Sequence, residues 1–218
     1  MTDAPLISVR GEALLEVQPE IARLDVHVQS QEGNRRKALD RLSERNTACL
    51  DLVRSYGEAV EKVETGGLAI TPIMNRRERD VRAYRGTVWI KVTVADFAIL
   101  GELVARLGDL ERAYVHGPHW ALRPDSEVYR RAARQAAHEA VARARGYAEA
   151  LGSRLTGLVE LSDEGIGDRD LPMAYEMRAM AAGADGEPEA IDLEPEVQTV
   201  RAAVVARFTG TAPDLDAP

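Results

Sequence analysis

Residues 6–17 alternate in character. Ile7, Val9, Gly11, Ala13, Leu15 and Val17 fall on one side of a period-two pattern, and Ser8, Arg10, Glu12 and Glu16 on the other. That period predicts a strand with one buried face. Gln18-Pro19-Glu20 reads as a turn, because proline fixes φ and has no N–H to donate. A second strand follows, with Ile21, Leu24, Val26 and Val28 inward and Arg23, Asp25, His27 and Gln29 outward. The period then lengthens. From Gly33-Asn34 to about Tyr56, the positions Leu39, Leu42, Cys49, Val53 and Tyr56 follow helical spacing, and Gly57 suits the C-terminal cap.

Residues 61–74 read as a strand that Gly66-Gly67 interrupts, as at a bulge. A polar turn over 75–80 leads into the clearest strand, 81–95, where Tyr84, Val88, Ile90, Val92 and Val94 share a face. Asp96 is placed to cap a short helix over 97–107, and a strand spans 113–122. Asp125 or Ser126 opens the longest helix, which runs to Leu151. Its expected stripe is Tyr129, Ala133, Ala136, Ala137, Ala140, Ala144, Tyr147, Ala148 and Leu151. A strand over 155–162 comes next. Residues 163–195 carry no period and read as a loop excursion. The last strand is 197–209, and 211–218 is a tail.

The order ββα, ββα, βαβ, β predicts an α+β fold. A largely antiparallel sheet of hairpin-like strand pairs is expected, with a ββα-type pseudo-repeat. A single domain over 1–218 is expected, its core at about 6–162 and 188–209. The first and last strands should both join the core sheet, burying Val9, Leu15, Val204 and Phe208.

Three distant segments carry a family resemblance. They are Ile7-Ser-Val-Arg-Gly-Glu12 with the Pro19-Glu20 turn, Tyr84-Arg-Gly-Thr-Val-Trp-Ile-Lys-Val-Thr-Val94, and Val197-Gln-Thr-Val-Arg-Ala-Ala-Val-Val-Ala-Arg-Phe208. Thr65, Ile70-Thr-Pro72 and Ala148-Glu-Ala-Leu-Gly152 add to them. Together they resemble the SIMPL-domain (DUF541) family, which includes bacterial periplasmic immunogenic proteins and a mammalian partner of a Pelle-like kinase. Glu20 departs mildly from the acidic residue usual at that turn, which is aspartate. The resemblance implies an α+β protomer that tends to self-assemble, sometimes into large rings. It supplies no catalytic residues.

Composition narrows the rest. The chain has 218 residues, a net charge of -8 and a pI near 5.2, which argues against a general polyanion-binding surface. Cys49 is the single cysteine, so an intramolecular disulfide or a cysteine-based zinc site is excluded. No window is apolar for long enough to span a membrane as a helix. The first ten residues lack a basic segment followed by an apolar one. On that ground a cytoplasmic protein is expected, the alternative being the mature part of an exported one.

Candidate chemistry is sparse. His116-Gly-Pro-His119 has two metal-ligating side chains, but a separation of three in a regular strand sends them to opposite faces; a Gly-Pro bulge is the alternative that would bring them together, and no carboxylate or third ligand lies nearby in sequence. No metal site, catalytic residue or cofactor is therefore expected. Cys49 lies on the apolar stripe of the first helix and reads as a buried, inert thiol. Arg76, Arg77, Arg79, Arg82 and Arg85 cluster at a hairpin tip, and contact with nucleic acid or an acidic partner there is the alternative to a solvated tip. Trp89, outward among Arg85, Thr87, Lys91 and Thr93, is a candidate interface anchor, as are Met173, Met177 and Met180 in the excursion. The leading expectation is a non-enzymatic, self-associating scaffold or binding protein whose partner is unknown. A nucleic-acid or acidic-partner module comes second, and a hydrolase or metalloenzyme third.

Overall fold

The computed structural model describes residues 4–75, 80–167 and 192–214, with the backbone alone at 165–167. Its architecture is α+β, built on antiparallel sheets. The described residues fall into two compact units. The first takes residues 4–18, 123–167 and 197–214, and the second 19–75, 80–122 and 192–196.

The first unit holds β1 (Leu6–Val17), α1 (Glu127–Ala150), β2 (Leu155–Gly167) and β3 (Gln198–Gly210). Its sheet runs β1-β3-β2, so the last strand is central. Twelve consecutive pairs, from Leu6 with Thr209 to Val17 with Gln198, join β1 to β3 without a register shift. Val9, Ala13, Val204 and Phe208 are buried as expected, while Leu15 is half-buried. β2 is five residues longer than its pattern predicts. Asp163 faces Val204 and Gly167 faces Arg201, so the expected excursion begins later than residue 163.

Ser126 caps α1 by accepting from the Val128 N–H. The buried row is Ala132, Ala136, Ala140, Ala144 and Ala148, a strict four-residue repeat. Such a row is one ridge of the helix surface, inclined to its axis. Contact through that single ridge leaves the expected stripe members Tyr147 and Leu151 exposed. The ridge sits close against β1: a Cβ added to Gly11 would lie 2.1 Å from the Ala136 carbonyl oxygen and 2.7 Å from the Ala140 Cβ. The start of the expected tail is tied down. The Thr211 N–H donates to the Arg154 carbonyl at 2.9 Å and the Asp214 N–H to the Leu151 carbonyl at 2.8 Å.

The second unit holds β4 (Ile21–Glu32), α2 (Arg35–Arg54), β5 (Val60–Met74), β6 (Val81–Val94), α3 (Leu100–Gly108) and β7 (Ala113–Ala121). A 3₁₀ turn at Phe97–Ile99 leads into α3, so the α-helix starts three residues later than its pattern. The sheet order is β5-β6-β4-β7. β1 and β4 thus belong to different sheets and form no hairpin. The tight turns that match strand twist need residues tolerant of positive φ, and proline at position 19 is not one. β5 and β6 do form the expected hairpin, closed by the Asn75 N–H donating to the Asp80 carbonyl at 2.9 Å. One sheet face packs against α2 and α3 through Leu24, Val26, Leu42, Val53, Ile90, Val92, Leu100, Leu103 and Leu107, all essentially solvent-free. Leu193, inside the expected excursion, packs against this core.

Two substitutions test these placements. Gly11→Val should lower the unfolding free energy by about 3 kcal/mol or more, since backbone atoms of α1 occupy the space a side chain needs. A urea melt within about 0.5 kcal/mol of wild type would contradict that packing. Val92→Asp buries an unpaired carboxylate in a fully enclosed position at a cost of several kcal/mol, and should abolish cooperative folding by circular dichroism.

Candidate functional site

The helix-free face of the four-stranded sheet gathers the chemistry-bearing residues. Alternation on β4 turns Asp25 and His27 away from the core that Leu24, Val26 and Val28 fill. On one side β6 places Lys91 opposite Asp25 and Trp89 opposite His27. On the other, β7 places His116 opposite Asp25 and Tyr114 opposite His27.

His119 joins the same face. The β4–β7 register shifts between Arg23 and Asp25, so that Gly117 and Pro118 together span the place of one partner. This extra residue changes the parity of the strand. Gly117 has φ of +114° and packs so closely that an added Cβ would come within 2.7 Å of the Arg23 carbonyl oxygen. The expectation that His116 and His119 point apart is therefore corrected. His116 packs its ring 5.1 Å from that of His27, and His119 Nε2 stands 3.8 Å from Asp25 Oδ2.

Trp89 is 37% exposed. Its indole lies beside Gly67, where an added Cβ would be 3.5 Å from Cε3, and meets the His27 ring edge-on at 6.2 Å. A Cβ at Gly67 would make ordinary van der Waals contact with the indole, so the tryptophan lies against this strand. Burial lowers the pKa of His27 below the ordinary 6.5. The positive charge available to His116 lowers it further, and Asp25 acts in the opposite direction.

The other candidates are dispersed. Cys49 is fully buried, and burial pushes its thiol up to about 11, as an inert core cysteine requires. Arg76, Arg77 and Arg79 lie outside the described residues, as do Met173, Met177 and Met180. Arg82 and Arg85 are exposed on β6, three residues apart. His138 is exposed on α1, in the first unit. That unit has a groove of about 420 Å³ between α1 and β2, lined by Val141, Arg145, Ala148, Leu155, Leu158 and Phe208. The sequence places His27 on the polar face of its strand with no visible partner, because His116 comes from β7, whose partner strand no local pattern names.

Two solution measurements follow from these environments. As pH falls below 6.5, the unfolded chain takes up a proton at His27 before the folded chain does. Stability is therefore lost from pH 6.5 down through the lower folded value. The groups facing His27 are His116, Asp25, Lys91, Trp89 and Tyr114, and replacing it leaves them in place. His27→Gln should lose less stability than wild type between about pH 7 and pH 5 in paired urea melts. Cys49 should stay unmodified by a thiol reagent at about pH 8 in the folded protein and react once in denaturant.

Residues 7–208 match the family described as "SIMPL: Protein of unknown function (DUF541)". The chain is 29% identical over 195 residues to the "26 kDa periplasmic immunogenic protein" of Brucella melitensis biotype 1, and equally to that of Brucella abortus strain S19. The alignments cover 84% of this chain and 77% of each relative. These names overturn the cytoplasmic expectation, which rested on the first ten residues, and where a sequence begins does not fix its compartment. Matched along nearly its whole length, the chain belongs to the SIMPL (DUF541) family.

Proposed function

We propose that this chain is a non-enzymatic protein that associates with itself and serves as a scaffold or binding surface outside the cytoplasm. The observation that carries the reading is strand β2. It lies at an edge of its sheet, and Leu158, Val159 and Leu161 are each more than half exposed on it. An apolar edge strand is a template for pairing, which proteins normally cover or charge. The opposite edge is treated differently. There Glu139 of α1 accepts the Glu12 N–H of β1 at 3.1 Å, occupying a backbone donor.

Trp89 is a second proposed contact, being large, partly exposed and held by His27 and Gly67. Met173, Met177 and Met180 are proposed to contribute as adaptable apolar contacts. Cys49, enclosed in the core with its thiol pushed up, is unsuited to nucleophilic attack, which supports a binding role over catalysis. The periplasmic names of the Brucella relatives support export.

Light scattering at micromolar concentration tests the proposal, with a mass above the monomer's 23.9 kDa as the expected result. A monomer sinks it. Leu161→Glu should shift the mass toward the monomer without changing the circular dichroism spectrum. An oligomer indifferent to both Leu161→Glu and Trp89→Ala rejects these contacts. Salt-dependent retention on a polyanion resin, lost in Arg82→Ala/Arg85→Ala, would instead favour the nucleic-acid or acidic-partner reading.

A further inference from the structure

We propose that His27 and His116 form a two-histidine site for a divalent transition metal ion on the face of the four-stranded sheet turned away from α2 and α3. Their ring centres are 5.1 Å apart and their planes are inclined by 52°. A zinc ion lies about 2.0–2.1 Å from a ligating imidazole nitrogen, hence about 3.2 Å from the ring centre. Two rings on one tetrahedral ion therefore have centres about 5.2 Å apart. The observed separation matches that value before any ion is added.

The surroundings suit a cation. Asp25 stands directly opposite His116 and acts electrostatically on His27, placing a carboxylate beside the pair. His119 Nε2 stands 3.8 Å from Asp25 Oδ2, on the same face. Among the described residues no three ligating side chains are gathered, so water completes the coordination. Both rings belong to adjacent, hydrogen-bonded strands, and a sheet holds its side chains more firmly than a loop. Nitrogen donors select zinc, copper or nickel over calcium or magnesium. The inference rests on the β4–β7 register and is independent of self-association.

Calorimetric titration of the full chain, purified without a tag, with Zn²⁺ alone tests it. One saturable site is expected in wild type and in His138→Ala, with binding lost in His27→Ala and in His116→Ala. No saturable binding by wild type, or binding kept by either of those two variants, overturns the assignment. Folding of each variant is checked by circular dichroism. If a variant fails to fold, zinc-induced amide shifts in wild type decide instead. Shifts centred on Asp25–His27 and Tyr114–His116 support the site, and shifts confined to other segments overturn it.

Discussion

The antiparallel pairing of the first strand with the last is the constraint on which the three-stranded unit depends. β3 is the central strand, and both β1 and β2 hydrogen-bond to it. Without β3 the other two have no partner, and α1 has no continuous surface beneath it. The contact joins residues near 6 to residues near 209, almost the longest separation this chain offers. Such a pairing costs loop entropy before it gains any contact, so it must be specified strongly. The specification is visible in the register, which runs twelve pairs without a shift and keeps Val9, Ala13, Val200, Val204 and Phe208 on the enclosed side. A slip of one residue would turn that whole set outward.

Glycine and alanine set the depth of the packing above that sheet. Gly11 leaves no side chain where the backbone of α1 passes, and the four-residue alanine row presents a smooth ridge to it. The helix thereby covers β1 and β3 closely, while Leu158 and Leu161 of β2 stay in solvent. Exposure of that edge and tightness of the Gly11 contact are two results of one small-residue helix face. A larger ridge would stand farther off and forfeit the dispersion contacts that close approach provides.

Most elements are legible in the sequence because their signals are local. Alternation locates β1, β4 and β6, and Asn34, Asp96 and Ser126 are recognisable as caps, each accepting a backbone N–H near its helix start. Partner choice is not legible, because period two fixes which face is buried and says nothing of which strand lies alongside. Hence the pattern suggests a β1–β4 hairpin across Pro19, whereas the two strands join different sheets. The far end of β2 is missed for a related reason. Asp163, Glu164, Gly165 and Gly167 are poor strand formers, and pairing with β3 overrides that preference.

The place of His119 in the cluster is hidden at one residue. Counting along a regular strand puts His116 and His119 on opposite faces, and the bulge at Gly117-Pro118 reverses the count. The bulge is foreseeable only as a composition, since glycine beside proline admits several backbone paths. What selects this path is the partner strand. Gly117 fits against the Arg23 carbonyl with no room for a Cβ, so the glycine that permits the bulge also fixes where it forms. Asp25 then has His116 directly opposite and His119 within 3.8 Å, while His27 is left to meet His116 ring against ring. One inserted residue on an edge strand thus brings His119 onto the sheet face that Asp25, His27 and His116 already share.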